Sequence, residues 1–261
     1  MSSQSHRSDP QILGRRTLQR DHRTLAALLQ PGMAVLDVGC GTGAITAGIA
    51  RAVGPEGRVV GIDRDDSLLE IARREYGGVS NLRFEHGDAT SLTHRAAFQI
   101  VTAARTLQWI GDPGQAIARM KDAAAPGGLL VVLDYDHRRN RWTPEPPPEF
   151  ARFYRAFLQW RSSNHWDNGI ASHLPAIFGA AGLTDIASYP QDEVSERGQP
   201  EFGPGAGIWL GVIEGVGPKL AAAGLCTESE LQAARERYQE WISAALERQT
   251  LAMSTVVGRV P

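Results

Sequence analysis

The chain has 261 residues, and at ~150 residues per domain that length suits one large domain or one domain carrying a cap. With 42% hydrophobic and 21% charged residues the composition is globular, which excludes disordered, collagen-like and disulfide-scaffold chains. A formal charge of −2 supplies no global positive field for nucleic acid or an anionic membrane, and two cysteines, Cys40 and Cys226, rule out a disulfide framework, a four-thiolate zinc site and a three-cysteine iron-sulfur set. This cysteine usage fits a reduced, cytoplasmic setting. The polar start lacks the apolar core of a signal peptide, and no apolar run approaches the ~18 residues of a spanning helix.

In chain order, residues 1–13 read as a disordered tail. Leu18, Leu25, Leu28 and Leu29 share one face of a helix over 14–30, which Pro31-Gly32 stops. An apolar strand over 33–38 runs into Gly39-Cys40-Gly41-Thr42-Gly43 and a helix over 44–53. A strand over 58–63, a helix over 65–75 and a strand over 81–86 repeat the alternation. Strands over 99–103 and 129–134 flank a helix over 113–124 that ends at Pro126-Gly127-Gly128. Strands alternating with helices demand parallel pairing, so the scaffold is a doubly wound α/β sheet. A proline-rich stretch over 138–148 marks a break. Helices over 149–161 and 169–181, a strand over 184–189, helices over 207–223 and 228–246 and a closing strand over 250–260 complete the chain.

The turn Gly39-x-Gly41-x-Gly43 follows a strand and opens a helix, so its backbone amides face any ligand that approaches. It also satisfies the dinucleotide fingerprint when read as Gly39-x-Gly41-x-x-Ala44, and Asp63 ends the next strand about twenty residues later, where a carboxylate accepts ribose hydroxyls. A nucleoside-bearing cofactor follows. Asp37, two residues before the first glycine, separates the alternatives: its charge opposes a pyrophosphate but suits the ammonium of an amino acid.

The segment Val35-Leu36-Asp37-Val38-Gly39-Cys40-Gly41-Thr42-Gly43 resembles the first motif of class I S-adenosylmethionine-dependent methyltransferases almost letter for letter. The resemblance continues at His86-Gly87-Asp88-Ala89, through Ala104 to Trp109 and at Pro126-Gly127-Gly128, and is nearest to the small-molecule branch of ubiquinone/menaquinone C-methyltransferases. It implies a seven-stranded, mostly parallel Rossmann-like sheet in a single domain over 14–261, with helical cap insertions around 138–181 and 193–246. It implies S-adenosyl-L-methionine as cofactor, held by Asp37, Gly39, Gly41, Gly43, Asp63 and Asp88, with Ala89 beside the adenine and the Arg64 plane against the base. Because a segment before the first strand often closes over the cofactor in this family, Gln19 or Arg20, and Arg105 from the other side, are expected at the methionine carboxylate. A nicotinamide-dependent oxidoreductase and a non-catalytic nucleoside-binding module are the rival readings. The chain lacks the Asn/Asp-Pro-Pro-aromatic motif that accompanies methylation of exocyclic base amines.

Methyl transfer from a sulfonium is an in-line displacement that depends on positioning, and a general base is needed only when the nucleophile holds its proton. Ligands bind outside the carboxyl ends of parallel strands, so Asp134-Tyr135-Asp136-His137 supplies the base candidates, His137 first and Asp136 second. Asp134, Asp136 and His137 make no complete oxygen-rich set, and no metal is expected. Phe150, Phe153, Tyr154, Phe157 and Trp160 recur at helical spacing as the core of a cap, whereas Trp109, Trp142 and Trp166, near loops, together with Tyr135 are the expected substrate pocket. The expected partner is a small, aromatic or apolar metabolite.

Overall fold

A computed structural model describes residues 10–261. The strands are β1 (Ala34–Val38), β2 (Arg58–Asp63), β3 (Leu82–His86), β4 (Phe98–Ala104), β5 (Ala124–Tyr135), β6 (Arg141–Thr143), β7 (Thr184–Pro190), β8 (Glu193–Glu196), β9 (Arg248–Leu251) and β10 (Met253–Arg259). The helices are α1 (Pro10–Gly14), α2 (Leu18–Asp21), α3 (Arg23–Leu28), α4 (Ala44–Val53), α5 (Asp66–Tyr76), α6 (Pro113–Ala123), α7 (Pro148–Ser163), α8 (Ile170–Ala180), α9 (Phe202–Ala206), α10 (Ile208–Ala222) and α11 (Glu228–Ala244). The chain divides into two units, the first built from residues through Asp134 with Ile170–Gln191 and Ser254–Pro261, the second from Tyr135–Gly169 and Asp192–Met253. Of the expected tail, 1–9 lie outside the described residues, and α1 occupies the rest.

The first unit carries a seven-stranded sheet in the order β3-β2-β1-β4-β5-β10-β7, parallel from β3 to β5, with β10 antiparallel to β7. Alternation along the strands sends side chains to both faces. Leu36, Val38, Val60, Ile62, Val101, Leu130 and Val132 share a buried cluster with Ile117 and Met120 of α6 and Leu174 and Phe178 of α8. Val35, Val59, Ile100 and Val131 share a second cluster with Leu18, Leu25, Ala47 and Ile49 of α2, α3 and α4. With helices on both faces, the sheet is doubly wound, as the alternation of strands and helices predicts.

Three features differ from the sequence reading. The single helix over 14–30 is three short helices, because the Thr17 hydroxyl accepts the Arg20 amide at the start of α2 and His22, at φ −148°, ends it by turning its ring into the sheet, where Nε2 meets Thr102 Oγ1 at 2.9 Å. Pro126-Gly127-Gly128 does not precede β5 but lies inside it as a bulge, where pairing with β4 jumps from Phe98↔Ala124 to Ile100↔Leu129 and Gly127 takes φ +75°. Helix α8, read from sequence as part of the cap, lies in the first unit, packed on α6 and β7.

The second unit combines α7, α10 and α11 with a three-stranded antiparallel sheet, β6-β9-β8, that no local pattern announces. The apparent closing strand over 250–260 is two strands, β9 in this small sheet and β10 in the large one, separated at Ala252. Phe150 stacks on Tyr238 at 4.2 Å between centroids, and Trp209 packs edge-on against Tyr154 and Phe157.

Candidate active site

The glycine turn is tied to the ends of β2 and β4. Gly39 N and Cys40 N both donate to Ile62 O, at 2.7 and 3.0 Å. Gly39 has φ +78°, and a Cβ there would lie 2.2 Å from Thr106 Oγ1 and 2.9 Å from Thr106 Cβ. Gly43, also at φ +78°, would drive a Cβ to 2.6 Å from the Phe84 ring. At Gly41 (φ +55°) the nearest atom to such a Cβ is Leu13 Cδ1, 3.1 Å away. The backbone thus comes close to its neighbours at Gly39 and Gly43 for packing reasons, while Gly41 keeps a cradle bordered by α1. Helix α4 begins at Gly43 without a side-chain cap, so its first amides are available to a ligand.

Asp63 organises the turn from the end of β2. Its Oδ2 accepts Gly41 N at 2.8 Å and its Oδ1 accepts Asp65 N at 3.0 Å, and each ionised oxygen keeps a second lone pair for a ligand. Gly87 N donates to Asp63 O at 3.0 Å, which joins the Asp88 loop to the same strand end. Asp88 Oδ1 accepts both the amide and the hydroxyl of Thr90, leaving Oδ2 for a ligand. Burial works to raise the Asp88 pKa, but the two Thr90 bonds and the nearby Arg64 charge outweigh it and leave a net lowering. Arg64 itself is exposed, and Ala89 is buried behind Asp88.

Asp37 is buried on β1 and accepts the Thr46 hydroxyl on Oδ2 at 2.7 Å. Burial raises its pKa to about 6, with the Thr46 bond opposing and the Asp63 charge adding to the rise. Burial, with Asp37 and Asp63 next, also lifts the Cys40 thiol well above its ordinary value, so it is a protonated packing group. An acid kept at the foot of a glycine turn, with one oxygen left for a partner, is a receptor for a cation and a poor neighbour for a pyrophosphate.

A family model described as a methyltransferase domain matches residues 29–168, which is 140 of the 261 residues and carries every element of this turn. The chain belongs to the methyltransferase domain family. Over 134 residues it is 32% identical to demethylmenaquinone methyltransferase of Staphylococcus aureus (strain JH9), covering 51% of this chain and 52% of that protein. Over 108 residues it is 37% identical to an uncharacterized 37.1 kDa protein in transposon TN4556 of Streptomyces fradiae, covering 41% of this chain and 31% of that one. The chain therefore spans about half or less of the length of these curated relatives. Its fold matches phosphoethanolamine N-methyltransferase 2 of Haemonchus contortus, solved with phosphomonomethylethanolamine and S-adenosylhomocysteine, with a TM-score of 0.57 at 17% identity over 92% of this chain and 52% of that one.

The remaining expected residues fall into distinct settings. Gln19 is exposed on α2. Arg105 is buried at φ +59°, its Nη1 donating to Asp21 O at 3.1 Å and its Nη2 3.9 Å from Asp21 Oδ1, so its guanidinium faces α2. Trp109 is half-buried in a short 3₁₀ turn of the loop after β4, which Asp134 Oδ2 holds by accepting Gln108 N.

In the second unit, Asp136 is engaged by Arg138, which approaches both carboxylate oxygens, at 3.3 and 3.4 Å. His137 is buried, stacked on Tyr135 at 5.1 Å and edge-on to Phe157 at 5.7 Å. Burial, reinforced by the Arg161 charge, lowers its pKa well below the usual histidine value, so the ring is neutral at pH 7. Tyr135 OH donates to Glu193 Oε2 at 3.2 Å. Trp142 donates its indole N–H to Gln249 Oε1 at 2.8 Å and packs among Phe150, Tyr154 and Trp209, while Trp166 is buried edge-on to Trp160. Trp166 is buried, whereas Trp142 is half-buried. Among the described residues no three His, Cys, Asp or Glu converge as metal ligands, and no helix is long and apolar enough to cross a membrane. Sequence reasoning passed over Asp21, His22 and Thr102, because the bonds from His22 to Thr102 and from Arg105 to Asp21 span 80 and 84 residues of chain.

Proposed function

We propose that this protein transfers a methyl group from S-adenosyl-L-methionine to a small, aromatic or apolar acceptor. When bound, S-adenosyl-L-methionine supplies a methyl group made electrophilic by its sulfonium, which the acceptor attacks in line. The observation that carries the reading is the buried Asp37 beneath Gly39-x-Gly41-x-Gly43, a carboxylate suited to the donor's ammonium. Asp63 takes the ribose hydroxyls on its remaining lone pairs, Asp88 Oδ2 takes the adenine amino group, and Arg64 lies against the base. Membership in the family supports this donor, and the relative named for demethylmenaquinone supports an apolar, aromatic acceptor.

The test is calorimetric titration with S-adenosylmethionine and S-adenosylhomocysteine, with NAD and NADP as controls. Saturable binding of the first pair alone is expected. Binding of a nicotinamide cofactor instead would overturn the donor assignment. The pKa of Asp37 adds a signature. Its folded value lies above the unfolded one, so its contribution to apo stability is complete below about pH 4 and is lost as the pH rises through about 6. A cation bound beside it favours the ionised form, so binding at pH 5.5 releases a proton and binding at pH 8 releases none from this group. Titrations in buffers of different ionisation heat read this directly, and equal proton release at the two pH values removes Asp37 from the ammonium site.

His137 is proposed as proton acceptor where the nucleophile carries a proton. Its ring being neutral at pH 7, turnover on a phenolic or quinol acceptor should stay flat from neutral pH downward until the lowered pKa is reached. Replacement by Ala is expected to cost ~10²–10⁴-fold in kcat. Near-normal turnover of the variant across pH would assign the ring to packing with Tyr135 and Phe157.

A further inference from the structure

The first unit contains a buried polar cluster that the cofactor contacts above do not use. Arg105, just beyond the end of β4, sends its guanidinium to the carbonyl and carboxylate of Asp21 at the end of α2, with side chains 3% and 9% exposed. Asp21 Oδ2 also accepts Thr17 N at 2.7 Å and Arg20 Nε at 3.0 Å, closing α2 upon itself. Gln191 Nε2 donates to Asp21 O at 3.3 Å, and its Oε1 accepts the Thr255 hydroxyl at 3.2 Å. One residue on, His22 is fully buried against Thr102. Thr102 gives its own proton to Val131 O at 2.7 Å, so it accepts from His22 Nε2–H. The imidazole is neutral: burial, with the Arg105 charge adding, lowers its pKa to about 3.

This cluster joins two elements that each meet the glycine turn or the helix it opens. On one side, Thr106, the neighbour of Arg105, touches the space above Gly39. On the other, Leu13 borders Gly41, and Leu18 lies so near α4 that a Cβ on Gly48 would come within 2.8 Å of its Cβ. Arg105 holds a left-handed backbone at φ +59°, unusual for a residue other than glycine, while its N–H reaches Leu133 O at 2.7 Å and its C=O accepts Gln108 Nε2 at 3.1 Å. Such a conformation persists only where the surroundings over-determine it.

We propose that Asp21 and Arg105, assisted by His22–Thr102 and Gln191, form a clasp that positions the N-terminal helices over the glycine turn, so that both are positioning residues for cofactor binding. The inference rests on the donor reading above. It reassigns Arg105 from contacting the methionine carboxylate to holding the segment that encloses it. If loosening the clasp leaves the enclosing arrangement populated only about one tenth of the time, apparent affinity falls about tenfold.

The test combines calorimetry with S-adenosylhomocysteine and hydrogen exchange of residues 13–28 in the ligand-free protein, for the parent, Asp21→Ala, Arg105→Ala and the double variant. Expected are about tenfold weaker binding in either single variant, no further loss in the double variant, faster exchange over 13–28, and a raised KM for the donor with kcat little changed. Asp21→Asn, which keeps one acceptor oxygen, should recover part of the affinity, and it replaces Asp21→Ala if that variant does not fold. Two outcomes overturn the clasp: unchanged affinity despite faster exchange, or a loss in Arg105→Ala that Asp21→Ala does not share, which returns Arg105 to direct contact. A parent protein that binds no S-adenosylhomocysteine overturns the donor reading and the positioning role with it, whereas the exchange comparison still reports separately whether the clasp holds the helices.

Discussion

Asp63→Ala is expected to weaken S-adenosylmethionine binding by at least about 100-fold while the protein remains folded, since hydrogen bonds to a charged group are each worth about 1.5–3 kcal/mol and the ribose offers two hydroxyls. The carboxylate also accepts Gly41 N and Asp65 N, so part of the loss comes from a looser turn. A ligand-side comparison separates the two parts. For an S-adenosylhomocysteine analogue lacking both ribose hydroxyls, the turn component persists and the ribose component vanishes, so the penalty of Asp63→Ala should shrink. Equal penalties for the two ligands would remove the ribose contact and leave Asp63 as a turn organiser only. Asp63→Asn should fall between parent and Ala, because its amide nitrogen cannot accept one of the two backbone N–H groups.

Gly39→Ala is expected to be the most damaging single methyl in the turn. A non-glycine residue at φ +78° costs about 1–2 kcal/mol, and the new Cβ overlaps the Thr106 side chain at 2.2, 2.5 and 2.9 Å, an overpacking worth about 1–3 kcal/mol more. Thr106 is branched at Cβ and cannot swing its near atoms away, so the loop after β4 has to shift. Thermal unfolding should fall by several degrees and donor affinity should drop with it. Gly39→Ala/Thr106→Gly removes the overlap but keeps the strained φ, so it should recover stability relative to Gly39→Ala alone. A double variant no more stable than the single would assign the cost to backbone conformation rather than to contact with Thr106.

The scaffold was legible from local signals because its elements declare themselves within a few residues of chain. Apolar strands such as Val35 to Val38 and Val59 to Ile62 are buried, and amphipathic α5 and α6 are started by Asp65 and Asp112, whose side chains accept first-turn amides. The glycine turn was legible for the same reason, and Asp63 and Asp88 follow from strand ends that parallel pairing brings side by side, with Asp63 in register with His86. Other features resisted. The N-terminal leucines promise one continuous helix, yet Thr17 and His22 break it because their partners, Asp21 and the distant Thr102, outweigh helix periodicity. Trp142 lies beside a proline-rich loop, and the acceptor of its indole N–H, Gln249, comes from 107 residues further on.

The sequence by itself determined the doubly wound sheet and the glycine turn with an acid two residues before it, because strand and helix periods and turn glycines are written in adjacent positions, and the resemblance to a known family rests on that same short segment. Tertiary structure alone decided that Arg105 faces Asp21, that Asp136 is held by Arg138, that Trp142 meets Gln249 and Trp166 meets Trp160, and that β6, β8 and β9 form a second sheet. The physical reason is common to all four. The direction of a polar or aromatic side chain is chosen by which donor, charge or ring meets it once the chain has collapsed, and burial makes an unmet polar group costly enough to override local preference.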